Sequence, residues 1–452
     1  MTTKNSVIGY LPDEKPALLE LILFALQQIV VMFPATVLVA LITGFHVSTT
    51  IFASGLATLV FILVTGKKIP LYYGSSFSYI AAIASIMSAE AFSGMSLNEK
   101  ISIAQFGIVM SGFVSIAAGF IIKHSGKDLI EKVLPPTVTG SIAIIIGLSL
   151  AANAMGNAST IPEVAAEQTT LAGNLAWSIA LVTLLSTILY TVYLKGKLSQ
   201  LPILFGLMTG YIFALIAGGM TGIPFVSFHT IASDSVISLP IFTFPKPSMA
   251  AVAAIMPIAI ATIPESTAHI YQLDIYVNDL ARKKGAKKKY AIEDKLGLNL
   301  IGDGIGDIVS GFIGGPAGTN YGENISAMAL TKNFSIYVLI AAAIITMIIS
   351  CFTPLINVVY SIPQAVIGGL SIYLFGVIAA QGITIMMDKK VDMFSSKNLA
   401  VIAVILIIGL GGSFGFDGGM IPMFGIELPA IATAAILGIL LNLVLSLDQK
   451  KG

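Results

Sequence analysis

The sequence predicts an all-α polytopic membrane protein with fourteen transmembrane segments. Of its 452 residues, 56% are hydrophobic and only 10% are charged, whereas about a quarter of an average soluble domain is charged. Apolar runs such as LILFALQQIVVMFPATVLVALITG from Leu21 and LAVIAVILIIGLGG from Leu399 approach the ~20 residues that a helix needs to cross a bilayer. The ten-residue segments of alternating polarity that are typical of a β-barrel do not occur. The composition therefore favours membrane helices and excludes a soluble protein.

Eleven of the fourteen segments have the pattern of ordinary apolar helices. They are residues 17–43, 49–66, 102–123, 132–152, 175–194, 200–220, 249–273, 335–353, 362–386, 398–412 and 428–446. The other three, 69–88, 297–313 and 316–332, are short and rich in glycine or polar residues, so we do not expect plain apolar helices there. The first sixteen residues contain no apolar h-region, so no cleaved signal peptide is expected.

The basic residues predict the orientation of the chain. If the N-terminus is cytoplasmic, every Lys and Arg except Lys100 and Lys246 falls on the cytoplasmic side, in agreement with the positive-inside rule. Residues 1–16 and 447–452 are then a cytoplasmic N-terminus and tail. The basic run ARKKGAKKKY at 281–290 is interpreted as a cytoplasmic loop, because it lacks interleaved aromatics and a soluble domain. No nucleic-acid partner is expected.

Two of the short segments share one plan. Residues 69–80 (IPLYYGSSFSYI) and 316–327 (PAGTNYGENISA) each place a β-prone stretch and a glycine, Gly74 or Gly322, before a short helix. An odd number of spans separates them, so the chain is predicted to consist of seven plus seven inverted repeats, with short β-strands in segments 3 and 10. Interrupted segments at matching places in inverted halves point to the binding site of a transporter, because they leave free helix N-termini inside the membrane.

Few ionisable side chains fall inside the predicted spans. Glu265 and His269 are four residues apart and so share one helix face, directly after Pro264. A carboxylate at the membrane centre costs about 3 kcal/mol by insertion scales, so a functional role is the first hypothesis. A purely structural Glu–His pair is the alternative. A second carboxylate, Glu323, is expected to face the same region, which favours function.

Asp303 and Asp307 are also four residues apart, in the segment LGLNLIGDGIGDIVSGFIGG. We expect them to cap and tie the short elements of the interrupted region, and a role in proton movement is the alternative. The G-D-G-I-G-D string is not interpreted as a dinucleotide loop, since no strand and no soluble βαβ unit precede it.

The stretch YGENISAMALTK closely resembles the signature of the nucleobase/ascorbate transporter family. Glu323, Asn324, Thr331 and Lys332 occupy signature places, whereas Ser326 replaces the usual glycine. The surrounding GDGIGDIVSGFIGGPAGTNYGEN, the TIPESTAH stretch and the DKKVDMFSSKNL loop are similar to bacterial uracil permeases in particular. The resemblance covers nearly the whole chain.

The resemblance implies a core domain (17–123 and 249–353) and a gate domain (132–220 and 362–446), and a homodimer formed through the gate domains. It also implies a multi-pass protein of the bacterial cytoplasmic (inner) membrane that imports a nucleobase, uracil first, by proton symport and alternating access. No cofactor other than the coupling proton and no bound metal are implied. The substrate would lie between the two interrupted segments.

The resemblance further implies roles for individual residues. Glu265 and Glu323 would accept hydrogen bonds from the base, Phe77 and Gly322 would donate backbone N–H groups, and His269, with Glu265, would take part in proton coupling. Further residues are expected at the site, Tyr321 against the substrate and others as structural supports: Gly74, Ser76, Asn324, Ser326 and Thr331.

Three classes of function are compared at this stage. A proton-coupled nucleobase symporter accounts for the acids and the histidine, with xanthine or another purine as an alternative substrate. An anion transporter or channel of the same inverted-repeat architecture would need a cation at the interrupted segments, and 69–80 and 316–327 contain none. An intramembrane enzyme is least supported, since Glu265-x-x-x-His269 lacks the second histidine of a zinc protease.

Overall fold

The computed structural model describes residues 9–125, 133–162, 169–228, 235–423 and 426–447. Residues 1–8 of the predicted N-terminal segment and 448–452 of the predicted tail lie outside this part of the chain. The helices, in chain order, are α1 (Leu18–Thr43), α2 (Val47–Val64), α3 (Ile80–Ser88), α4 (Leu97–Ser125), α5 (Pro136–Ser149), α6 (Ala151–Ser159), α7 (Thr169–Tyr193), α8 (Pro202–Thr221), α9 (Met249–Ile255), α10 (Ile258–Lys283), α11 (Leu296–Ile313), α12 (Gly322–Thr331), α13 (Ile336–Ile349), α14 (Thr353–Tyr360), α15 (Gln364–Asp388), α16 (Ser396–Gly415) and α17 (Ala430–Leu447).

Four short strands accompany the helices. They are β1 (Tyr73–Ser75), β2 (Gly318–Asn320), β3 (Met420–Met423) and β4 (Ile426–Pro429). The predicted strands in segments 3 and 10 are therefore present. The β3–β4 hairpin was not predicted, and neither was the short helix α14.

The described residues contain ten helices that are long and apolar enough to cross a membrane. Three shorter apolar helices accompany them, at Phe77–Ser88, Ile336–Ile349 and Ala430–Ser446. The chain is thus a mostly helical, multi-pass membrane protein, as the composition predicts. The count of fourteen segments and their grouping into seven plus seven repeats stay predictions.

The segment 297–313 differs from its prediction. It forms one continuous helix, α11, and is among the ten that are long and apolar enough to span a membrane. The interruption comes only afterwards, at Gly314, whose φ of +102° is left-handed and ends the helix. The glycines that argued against a plain apolar helix instead allow α11 to pack closely against a neighbouring helix.

That neighbour is α4, and glycines on both helices meet in pairs. A Cβ added to Gly112 would lie 2.5 Å from the carbonyl oxygen of Gly304, and one added to Gly304 would lie 2.3 Å from that of Gly112. Gly119 and Gly297 form a second such pair, at 2.6 and 2.7 Å. The residue numbers on α4 rise from 112 to 119 while those of their partners on α11 fall from 304 to 297, so the two helices run antiparallel. Their backbones are in contact.

The strands β1 and β2 pair with each other although they are far apart in sequence. The pairing is antiparallel, with Tyr73 opposite Asn320 and Gly74 opposite Thr319. The ring of Tyr321 packs directly on Gly74, where an added Cβ would lie 2.4 Å from the ring. Only glycine fits at position 74, so this contact fixes where the helix after β2 begins.

Candidate functional site

The helix α12 begins immediately after the strand pair, in the interior of the protein. Gly322 is its first residue and Glu323 lies in its first turn. The N–H groups of a first helical turn have no carbonyl acceptor within the helix; that of Glu323 bonds to its own carboxylate, and that of Gly322 precedes it at the helix N-terminus. Glu323 is exposed, whereas the neighbouring side chain of Asn324 is fully buried. The Glu323 carboxylate therefore faces an opening beside the helix N-terminus.

Helix α10 carries Glu265 and His269 and packs beside the N-terminus of α12. It contacts the Phe77–Tyr79 turn, β2 and α12. The Nε2 atom of His269 lies 2.8 Å from the point that a Cβ on Gly322 would occupy, and the ring interacts with the backbone of Asn320. The Nδ1 atom of His269 is buried without a partner in the part of the chain that the structure describes. Any side chain at position 322 would displace this imidazole.

Glu265 lies one helical turn before His269. Helix α10, which carries Glu265, contacts α12, which carries Glu323. The Glu265 carboxylate accepts no hydrogen bond from any described residue. The two helices that meet beside the N-terminus of α12 thus each carry one carboxylate, and a shared ligand site for the pair stays a prediction.

Phe77 stands on the opposite interrupted segment. It is half-buried and packs against both large apolar clusters of the protein. Ser76 precedes it, donates its backbone N–H to Ala317 at 2.9 Å, and accepts from the N–H of Ser78 through its hydroxyl at 3.3 Å. Ser76 therefore holds the turn that contains Phe77, and its role as a support of a substrate site stays a prediction.

The Asp303 carboxylate joins three elements. It accepts hydrogen bonds from Ser266 on α10 at 2.6 Å, from Asn299 on α11 at 3.2 Å and from Asn320 on β2 at 2.7 Å. Asp303 is 5% exposed. It ties α10 and β2 to α11, as predicted.

The Asp307 carboxylate, one turn later, holds the strand pair in place. It accepts from the hydroxyl of Tyr73 on β1 and from the backbone N–H of Gly318 on β2, the latter at 2.8 Å. Asp307 is 2% exposed. Both strands are therefore anchored to α11 through one buried carboxylate.

Tyr321 does not offer its hydroxyl to the opening. The hydroxyl donates to the carbonyl oxygen of Ser75 at 2.9 Å and lies 3.0 Å from the hydroxyl of Thr36 on α1. The side chain is 4% exposed. Tyr321 is two residues before Glu323 in the chain, but its hydroxyl connects the interrupted segments to α1.

The remaining predicted supports occupy α12. Asn324 donates to the backbone oxygen and the side-chain oxygen of Gln28, at 3.0 and 2.8 Å, and so ties α12 to α1. The hydroxyl of Thr331 bonds back to Ala327 at 2.9 Å. Ser326 is half-buried.

Sequence reasoning missed Ser266, Asn299 and Asn320, which supply the donors around Asp303. One signal was available: Asn299 is four residues before Asp303 in an otherwise apolar helix, so the two share a face. Nothing in the local sequence indicates that Asn320, on a strand seventeen residues later, reaches the same carboxylate.

The fold is that of known membrane transport proteins. A solved structure of SLC26A9 superposes with a TM-score of 0.65 at 12% identity, covering 95% of this chain and 65% of that chain. The transmembrane domain of the cyanobacterial bicarbonate transporter BicA superposes with a TM-score of 0.59 at 15% identity, covering 96% of this chain and 99% of that one. At such identities the likeness defines the fold alone.

The sequence comparisons define the family. The Permease family model (Xan_ur_permease) matches residues 19–418, and the chain therefore belongs to this family, the nucleobase/ascorbate transporters that the signature predicted. The uracil permease of Bacillus caldolyticus is 35% identical over 440 residues, which cover 96% of this chain and 94% of that protein. The uracil permease of Bacillus subtilis (strain 168) is 34% identical over 430 residues, covering 93% and 92%.

A further relative carries a broader name. The putative pyrimidine permease RutG of Escherichia coli (strain K12) is 33% identical over 450 residues, covering 98% of this chain and 93% of that protein. The prediction that the chain is a transporter and not an enzyme is confirmed by these relatives.

Proposed function

We propose that the chain is a secondary active transporter that imports a neutral nucleobase, with uracil as the first candidate. The observation that carries this proposal is the pair of carboxylates beside the N-terminus of α12, Glu265 and Glu323, which accept no hydrogen bond from any other described residue. The names of the relatives, uracil and pyrimidine permeases, favour the same substrate class.

The chemistry of the ligand suits these groups. Uracil presents two N–H donors and two carbonyl acceptors on one rigid, uncharged ring. Glu265 and Glu323 accept hydrogen bonds, and the backbone N–H groups of Phe77 and Gly322 donate them. Cytosine inverts a donor and an acceptor on this edge, which would leave buried partners unpaired, so it should be rejected.

Protons are the proposed coupling ion. His269 packs on Gly322 one turn from Glu265, with a buried nitrogen that has no partner among the described residues. Movement of a bare carboxylate across an apolar barrier is costly, and a proton taken up together with the neutral base would remove that charge. His269 and Glu265 are the groups in position to exchange it.

Alternating access would move a core domain (17–123 and 249–353) against a gate domain (132–220 and 362–446). The closest helix pairs support this division. The glycine-packed pair α4–α11 lies within the core. The pair α5–α15, in which a Cβ on Gly382 would lie 2.3 Å from the oxygen of Gly140, lies within the gate. Close packing of this kind favours each domain moving as a rigid body.

Repeated contacts also support the proposed inverted repeats. Helix α4 packs on α11, and α13 packs on α2. In the proposed repeats, α2 of the first half corresponds to α11 of the second, and α4 corresponds to α13. The two contacts are then equivalent. The antiparallel pairing of β1 with β2 fits a two-fold axis between the halves. We further propose cytoplasmic termini, a bacterial cytoplasmic membrane and a dimer through the gate domains.

An anion transporter is the second candidate, because the fold is shared with the bicarbonate transporter BicA and with the murine anion transporter Slc26a9. Both share the fold at 15% identity or less. An anion site at the interrupted segments would need positive charge. Glu265 and Glu323 give this site negative charge, which favours the neutral base.

The test is uptake of radiolabelled uracil into proteoliposomes. Uptake should follow an inward-directed proton gradient, should not respond to sodium, and should be competed by unlabelled uracil but not by cytosine. Unlabelled xanthine and bicarbonate test the alternatives. Uptake that needs a sodium gradient at equal pH would reject proton coupling. If bicarbonate or xanthine, and not unlabelled uracil, reduces the uptake, uracil is rejected as the substrate.

A further inference from the structure

A second cavity, of about 470 Å³, lies away from the two carboxylates. It is bounded by the C-terminal ends of α1, α5 and α16, by most of α3, by α6, by Ala254 of α9, and by the first residues of α10 and α17. With the predicted topology, the named ends of α1, α5, α10, α16 and α17 are extracellular. The volume is within the range of small-molecule sites and is many times the roughly 30 Å³ share of one water molecule.

The described lining of this cavity contains no Asp, Glu, Lys, Arg or His. Its polar groups are serine and threonine hydroxyls and the amides of Asn153 and Asn157. The hydroxyls of Ser85, Ser149 and Ser413 donate back to carbonyl groups of their own helices. Their oxygens are therefore left to act as acceptors.

Asn153 and Asn157 supply the complementary groups. They are four residues apart on α6, so they share one face, and both line the cavity. Each amide has two N–H donors and an acceptor oxygen. A cavity with neutral donors and acceptors and without charge favours a neutral ring with hydrogen-bonding edges and disfavours an ion, which would lose its hydration without a counter-charge.

The cavity is aligned with the carboxylate site. Ile258 lines the cavity, and Glu265 is seven residues later on α10, on the same face and about 10 Å further along the axis. Ala81 lines it as well, and Phe77 is four residues earlier. Helix α10 therefore presents the cavity and the carboxylate site on one continuous face, and α3 follows directly after the turn that holds Phe77.

We propose that this cavity is an outer pre-binding site, in which Asn153 and Asn157 hold a neutral, nucleobase-like ring before it reaches Glu265 and Glu323. The proposal rests on the proposed function for the class of ligand. Binding in the cavity itself does not require the two carboxylates.

The experiment is protection of a cysteine in the cavity wall. Cys351, the single cysteine of the chain, is changed to Ala, and Ala152→Cys is introduced, because Ala152 lines the cavity and is exposed. The rate of reaction with a membrane-impermeant thiol reagent is measured with and without uracil. If the site has a Kd of about 1 mM, 4 mM uracil should slow the reaction about fivefold, by the factor 1 + [L]/Kd.

Three comparisons make the result specific. Asn174→Cys, an exposed position on α7 that does not line the cavity, should react at the same rate with and without uracil. The protection of Ala152→Cys should persist with Glu265→Ala, which removes the carboxylate site. It should fall to less than twofold with Asn153→Ala and Asn157→Ala together.

Absence of protection with Glu265 intact would overturn the proposal. Protection that disappears with Glu265→Ala would also overturn it, because the signal would then come from the carboxylate site. Equal protection at position 174 would show an effect on the reagent and would likewise overturn it. Protection that persists with Glu265→Ala while proteoliposomes take up no uracil would reject the proposed transport and leave the outer site standing.

Discussion

Two pairs of acidic side chains lie in the interior of this protein, and their surroundings are opposite. Asp303 and Asp307 accept hydrogen bonds from five donors between them, on α10, α11, β1 and β2. Glu265 accepts none from the described residues, and Glu323 is exposed to an opening. The same kind of group is therefore used in two ways: the aspartates hold the interrupted segments together, and the glutamates are left free for a ligand.

The largest expected effect is on stability, at Asp307. Asp307→Ala leaves the hydroxyl of Tyr73 and the N–H of Gly318 buried without an acceptor, and each such group costs about 1–3 kcal/mol. We expect the unfolding temperature in detergent to fall by about 5–10 °C, with poor recovery of monodisperse protein. Asp307→Asn keeps an acceptor oxygen and should lose less. If Asp307→Ala unfolds at the wild-type temperature, Asp307 does not hold the fold, and the proposed difference between the structural aspartates and the ligand-binding glutamates is wrong.

The second effect separates binding from coupling, at His269. The edges of the base can be satisfied by the two glutamates and the backbone without the imidazole, so His269→Ala should keep uracil affinity within about tenfold, or 1.4 kcal/mol. Accumulation driven by a pH gradient should be lost. Calorimetry in detergent and uptake into liposomes, on one preparation, measure both.

Thr267 provides the matched control for His269. It lies on the same helix and its hydroxyl bonds back to Ile263 at 2.7 Å, so Thr267→Ala should leave binding and accumulation near wild type. Full accumulation by His269→Ala with normal pH dependence would assign the coupling role to the carboxylates alone.

The smallest effect is expected at an acid on the surface. Asp13 contacts Lys288 at 2.8 Å and the hydroxyl of Tyr290 at 2.5 Å, and these hydrogen bonds, that of Lys288 first, hold its pKa below the usual value. Because the pKa is lower in the folded state, the stability that Asp13 contributes is present above its ordinary pKa of about 4 and is lost as pH falls through the folded value.

The side chain of Asp13 is 55% exposed, so solvent and salt screen the contact. Asp13→Asn should change the free energy of unfolding by no more than about 0.5 kcal/mol at pH 7. Thermal unfolding of wild type and variant at pH 7 and pH 3 measures this difference. A change as large as that of Asp307→Ala would contradict the view that burial separates the structural acids from the surface ones.

Much of this arrangement could be predicted from the sequence. Apolar runs located the long helices, because the membrane imposes a length and a composition. The matched stretches around Gly74 and Gly322 located the two strands, and the four-residue spacing of Glu265 and His269 placed both side chains on one face. These are local or periodic signals.

The rest depends on contacts between distant residues. The segment 297–313 was wrongly expected not to form a plain apolar helix, because the sequence does not show that Gly297 and Gly304 meet Gly119 and Gly112 on another helix. The partners of Asp303 come from three elements, and the hydroxyl of Tyr321 turns towards Thr36, 285 residues away. Which acids are saturated with donors and which are free follows only from this packing.

The most direct test of the account is the uracil-dependent thermal shift of Glu265→Ala and Glu323→Ala. A ligand at 100 times its Kd stabilises the folded state by about 2.7 kcal/mol, so wild type should unfold several degrees higher with saturating uracil. Both variants should unfold within about 2 °C of ligand-free wild type, since neither carboxylate holds the fold, and uracil should not raise the unfolding temperature of either. Stabilisation of both variants by uracil to the wild-type extent would contradict the assignment of these two carboxylates as the substrate site.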